Sequence, residues 1–297
     1  MRTARFLPSV PGSLCALLLL AAGTTLSQDS TRVSVWKFLP GSNRFRPLAA
    51  NWQEARLGVR KQTGSSMMRL DIGANLEFLE FTADPADGLM LRLGVEFFAY
   101  GLSTSVEGHR LQIDALDGHF GGSLSLFCPA SWGTFAARLR IMHLSSHFVD
   151  GHADWTSEDE RGPIPFTRDF GELVLAPWIS AGPWDLRPYL GVSYSTLVRP
   201  DDLARWGGIG GAEIFFRGFP QKLFGQPSAL YLALHSALEG NPDLALSTAV
   251  EAGLHMGGRE EAAVRVFAAY FSGNDIFHQY YDLYRHYWTI GVTFEVR

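Results

Sequence analysis

The residues of this chain best suited to chemistry form one short row, His143-Leu144-Ser145-Ser146-His147. On a β-strand successive side chains alternate faces, so His143, Ser145 and His147 share a face at spacings of roughly 6.6–7 Å, which rotamers can close. A serine hydroxyl becomes a nucleophile when a neighbouring base takes its proton, and histidine is the usual base. The row therefore offers Ser145 as nucleophile and His143 as base, with His147 beside them and Asp150 just beyond as an acidic partner. Ser146 falls on the opposite face. The same residues also suit a membrane boundary, where His and Ser sit comfortably at headgroup level without any catalysis.

Other clusters carry less. Asp150, Asp154, Glu158, Asp159 and Glu160, with His152, supply the oxygen ligands Ca²⁺ prefers. Their spacing fits no EF-hand, and a solvated acidic loop has the same composition. His143, His147 and His152 match a catalytic zinc site in number, yet they lack the helical H-E-x-x-H spacing, so no metal ligand is assigned. The run Gly207-Gly208-Ile209-Gly210-Gly211 lacks the Lys-Ser/Thr of a phosphate loop and reads as strand glycine that permits bending.

The element that must position the row runs from Trp132 to Asp150. Phe135, Ala137, Leu139 and Ile141 point one way and Arg138 and Arg140 the other. Arginines facing a soluble core would be costly, whereas in a membrane barrel the apolar face meets lipid and the charged face a wet lumen. The pattern recurs. Leu70, Ile72, Ala74, Leu76 and Phe78 alternate with Arg69, Asp71, Asn75 and Glu77, and Leu89 to Phe97 alternates around Arg92 and Glu96. Further segments continue it, ending on Trp288, Ile290, Val292, Phe294 and Val296.

With a weaker opening strand near Glu54–Arg60 the count is about twelve, and bacterial barrels use even numbers. The fold class is all-β, an antiparallel transmembrane β-barrel of about twelve strands over residues 52–297. A β-sandwich or lipocalin-like barrel is the soluble alternative. Short turn signals such as Pro129-Ala130-Ser131 and Gly182-Pro183 alternate with longer connections at Gly101–Gly118, Asp150–Asp169 and Ser272–Arg285. That asymmetry, with both termini periplasmic, sends the central strand outward and puts His143–His147 near the cell exterior.

Residues 1–27 have the form of a signal peptide. Arg2 and Arg5 precede a short apolar run, Leu14 to Ala22, and Thr25-Leu26-Ser27 supplies small residues for cleavage. Residues 28–51 read as an irregular periplasmic lead-in, with Val33, Val35 and Phe38 available for a short strand. Past the N-terminus no run of ~18 apolar residues suggests a membrane helix. The expected location is the outer membrane of a Gram-negative bacterium. A net charge of −5 offers no basic field for nucleic acid, so membrane lipids are the expected partners. Of two cysteines only Cys128 lies beyond the signal, which leaves the mature chain no internal disulfide.

His143-x-Ser145 near the outer end of a strand resembles outer-membrane phospholipase A and, more loosely, the lipid A deacylases. In the phospholipase family a downstream asparagine orients the histidine. No asparagine lies between Asn75 and Asn241 here, so Asp150, Asp169 or Glu172 would have to substitute. The phospholipase resemblance implies Ca²⁺ as cofactor and a homodimer that completes the site; the deacylase resemblance implies lipopolysaccharide as a partner. A broader resemblance rests on Leu111-Gln112-Ile113-Asp114, Asp117-Gly118-His119-Phe120-Gly121-Gly122, Arg138-Leu139-Arg140 and His143-Leu144-Ser145-Ser146-His147 with Asp150. These look like domain of unknown function 1207, a family of bacterial outer-membrane barrels, and imply that location without an activity. The leading expectation is therefore an outer-membrane barrel with a structural, binding or transport role, and the alternative is a lipid-acting serine hydrolase using His143 and Ser145.

Overall fold

The computed structural model describes residues 34–83, 88–106, 110–149, 163–241, 243–259 and 261–296. Its strands are β1 (Val35–Phe38), β2 (Leu57–Gln62), β3 (Met67–Thr82), β4 (Met90–Val106), β5 (Arg110–Ala130), β6 (Gly133–Phe148), β7 (Phe166–Leu175) and β8 (Trp178–Ala181). They continue with β9 (Trp184–Arg199), β10 (Trp206–Phe216), β11 (Lys222–Leu223), β12 (Gln226–Asn241), β13 (Asp243–Met256), β14 (Ala263–Asn274) and β15 (Tyr284–Glu295). Sequential neighbours pair antiparallel, and β15 pairs back onto β2, closing a twelve-stranded barrel. β8 continues the position of β7 after Pro177, which lacks the N–H a ladder requires, and bonds to β6 and β9.

Alternation assigns the two faces. Ile72, Leu93, Phe97, Ile141, Leu190, Leu232, Val266 and Ile290 are exposed on the outside. Arg69, Glu77, Arg92, Glu96, Arg138, Arg140, Glu172 and Arg265 are buried inside. Aromatic pairs mark both rims of the apolar belt. Tyr194–Trp206 and Tyr270–Trp288 lie toward one end, Trp36–Phe81 and Trp184–Phe216 toward the other. An apolar belt between two aromatic rims is compatible with a wall that meets hydrocarbon.

β1 and β2 pair with successive stretches of the same side of β3, at Leu79–Thr82 and Met68–Asp71. Between them the chain leaves the wall and crosses the lumen. Phe45, Leu48, Ala49, Ala50, Trp52 and Ala55 on this excursion are all buried. Its polar anchors come from around the barrel: Glu77 of β3 accepts from the Arg44 and Phe45 amides, Glu213 of β10 from the Ala49 amide, and Arg138 of β6 binds Glu54. The lead-in expected before the barrel is therefore irregular, as its Pro and Gly content dictates, but its later part forms a plug inside the barrel. Residues 1–33, which include the expected signal segment, lie outside the described residues.

The expected long connection Gly101–Gly118 is mostly strand, because β4 runs to Val106 and β5 starts at Arg110. A bulge explains why the period of two hides there: the register shifts between Leu102 and Ser103, leaving Asp114 extra and exchanging the faces beyond it. Similarly β7 begins at Phe166 and β15 at Tyr284, earlier than the alternation suggested. In the glycine run of β10, Gly211 is required by close approach rather than bending. A Cβ there would lie 2.4 Å from the Tyr189 hydroxyl.

Candidate active site on the outer wall

β6 carries the row as its period requires. His143 and Ser145 are half-buried on the outer face and His147 is exposed, while Leu144 and Ser146 turn into the barrel. Register now selects among the acidic candidates. Asp169 of β7 stands directly opposite His143, and its Oδ1 lies 2.6 Å from His143 Nδ1. Glu172 stands opposite Arg140 and accepts from that guanidinium inside the lumen, so it cannot reach the row. Asp150 and His152, with the rest of the acidic loop through Glu160, lie outside the described residues. On the other flank Phe120 of β5 packs against His143 with ring centroids 4.8 Å apart.

The pair fixes what the imidazole can do. With the Asp169 carboxylate accepting from Nδ1–H, the proton-free nitrogen is Nε2, the tautomer a general base needs. Ser145 faces the same way one pleat further out, flanked by Gly118 and Thr167. Gly118 leaves space beside the hydroxyl, since a Cβ there would sit 3.9 Å from Ser145 Oγ. Thr167 turns its own hydroxyl to the Leu144 carbonyl at 2.9 Å. No hydrogen bond joins Ser145 to His143 among the described residues; apo catalytic contacts commonly tighten only when substrate is bound. His147, at the strand's end, makes no ion pair among the described residues.

Ser146 is committed elsewhere. Its hydroxyl donates to Asp117 Oδ1, and Asp117 Oδ2 lies 2.8 Å from His278 Nδ1 and accepts from the His278 amide at 3.1 Å. The carboxylate stands between serine and histidine, so no imidazole adjoins the hydroxyl. This inner Ser-Asp-His set instead docks the β14–β15 loop into the barrel mouth, helped by Gln279 Nε2 donating to the Ser146 carbonyl at 2.8 Å. Asp117 shows in the sequence only as part of a family-like run. His278 has no signal there at all, because its partner is far away in the chain.

Among the described residues no group of three or more His, Cys, Asp or Glu is placed to hold a metal ion. Cys128 is a free, partly exposed thiol near the end of β5. No protein-family model matches the chain, and no curated protein matches it either.

Proposed function

We propose that this protein is an outer-membrane barrel that cleaves acyl esters of the surrounding lipid, with Ser145 as nucleophile, His143 as general base and Asp169 as its orienting carboxylate. The observation that carries the reading is the Asp169–His143 contact of 2.6 Å on the outward face, beside an outward serine. A carboxylate on a lipid-facing wall is expensive. Pairing it with the Nδ1 of a histidine whose other nitrogen faces the interface gives that cost a chemical use. The apolar belt supports a membrane setting, and the level of the row, near Phe120 and the rim aromatics, suits an ester bond at the acyl–headgroup boundary.

In the step proposed, His143 Nε2 takes the Ser145 proton as Oγ adds to the ester carbonyl. The tetrahedral intermediate collapses, the C–O bond to the alcohol breaks, and His143 returns the proton to the departing alkoxide. Water, deprotonated by the same histidine, then releases the fatty acid and restores the serine hydroxyl. The interior supports no general diffusion pore, because the plug from Phe45 to Ala55 occupies it.

The test is acyl release by refolded protein from phospholipid and from lipid A in mixed micelles, with Ca²⁺ and with chelator. Ser145→Ala and His143→Ala should each lower the rate by about 10³-fold or more, the scale of losing a catalytic group. The heat-modifiable folded band should persist in both. Equal release by wild type and Ser145→Ala, or release from neither lipid by folded wild type, overturns the reading.

A further inference from the structure

Inside the barrel, beside β2, β3 and β13 to β15, a cavity of about 460 Å³ opens at the outer mouth of the lumen. That volume falls in the range of small-molecule sites, which are mostly apolar with a few placed polar groups. Trp52, at the top of the plug, forms part of its lining with Phe271 and Tyr287. The three rings brace one another: Trp52 meets Phe271 edge-on at 5.2 Å, and Phe271 stacks on Tyr287 at 5.3 Å. The β14–β15 loop contributes Ile276, Phe277 and Tyr280, and is itself held by Asp117 through His278.

Charge enters this cavity from a ladder along the inner wall. Arg46, Glu295, Arg265, Glu251, Arg60, Asp71 and Arg69 alternate in sign through six consecutive ion pairs, so four guanidiniums share three carboxylates. Its last two cations, Arg60 and Arg69, line the cavity. Arg56 behind them donates only to carbonyls, of Leu48, Ala49, Asn51 and Glu54, and its charge is felt by the Glu54 and Asp71 carboxylates without a direct ion pair. Donors are left over as well. Arg69 spends Nε on Asp71 and Nη2 on the Trp52 carbonyl, leaving Nη1 without a partner among the described residues. Arg60 Nη2 is buried and unpartnered. On the rim, Asp275 is matched by Arg285 at 3.3 Å, which leaves the positive excess at the floor.

We propose that this cavity binds a small organic acid with a flat ring body, its carboxylate held by Arg69 and Arg60 and its ring against the wall formed by Trp52, Phe271 and Tyr287. Guanidinium forks match the planar carboxylate, and the aromatic wall matches a planar body. The site is separate from the hydrolytic row and does not depend on it.

Calorimetric titration of the refolded full chain with naphthoate, with the isosteric but uncharged naphthamide, and with inorganic phosphate tests the proposal. Saturable naphthoate binding is expected, at least tenfold tighter than naphthamide or phosphate. Arg69→Gln should weaken it at least tenfold. Ala269→Trp, which fills the cavity from the β14 wall opposite Glu251, should abolish it and serves if Arg69→Gln fails to fold. Ser145→Ala should bind as wild type does, so loss of the hydrolase reading leaves this result intact. No saturable naphthoate binding to folded protein, equal affinity for the amide, or unchanged binding in Ala269→Trp overturns the proposal.

Discussion

Replacing Glu54 by alanine probes whether the plug is held by charge inside the barrel. Both carboxylate oxygens of Glu54 accept from Arg138, at 2.9 and 2.7 Å, and both side chains are about 1% exposed. Removing one member of such a pair strands the other in a dry site and costs about 3–5 kcal/mol. Arg138 retains Glu172 at 3.8 Å, and Arg140 retains both Glu172 and Glu96, so the lower end applies. A loss of about 3 kcal/mol lowers the docked-to-released ratio of the plug by about 10²-fold. Two assays read it: denaturant unfolding of the refolded barrel, and bilayer conductance, which should rise in long-lived steps as the plug leaves. Glu54→Ala with Arg138→Met should recover part of the loss, because the stranded charge is gone. A single mutant within about 0.5 kcal/mol of wild type, with silent bilayers, would refute the plug as a charge-anchored element.

Other expectations are briefer. Ile141, 70% exposed at mid-strand, should tolerate Leu but not Lys; Ile141→Lys should cost about 2–4 kcal/mol if that face meets hydrocarbon, measured by equilibrium unfolding in lipid vesicles. In detergent-free soluble material the same change would be neutral, which separates a membrane wall from a soluble one. Burial raises the Asp275 carboxyl from 3.8 to about 6, against the Phe277 amide and Arg285, which pull it down. The folded loop therefore holds its proton longer than the unfolded chain does. Its stability should be fullest below about pH 4 and fall as pH rises through 6, by up to about 3 kcal/mol. Hydrogen exchange of the Ile276–Leu283 amides, corrected for intrinsic rate, should show that trend, and Asp275→Asn should flatten it.

What the sequence reveals and what it hides divide along physical lines. The wall is legible because an apolar outside and a charged inside force a period of two, and Ile72, Ile141, Arg138 and Arg140 all lie on the faces that period assigns. The bulge at Asp114 breaks the period, so the upper parts of β4 and β5 look like loop. The plug has no period at all. Phe45, Trp52 and Glu54 are fixed by contacts to several separate strands, and nothing local in the sequence marks a segment whose partners are all distant. The β14–β15 loop is hidden for the same reason: His278 meets Asp117, 161 residues away.

The carboxylate paired with His143 shows how a single register decides two contacts at once. Asp169 and Glu172 are three apart on β7, an odd interval, so one must face outward and the other the lumen. Pairing His143 with Asp169 and Arg140 with Glu172 satisfies both faces simultaneously. A slip of one residue would turn Glu172 onto the apolar outer face and leave Arg140, about 1% exposed, without its nearest counter-ion. The interior ion pair thus holds the exterior histidine–carboxylate pair in register, although the two never touch. That makes Arg140 and Glu172 positioning residues for the outer row as well as members of the lumen network. It also accounts for why spacing alone could not choose among Asp150, Asp169 and Glu172: the choice is made on the far side of the strand.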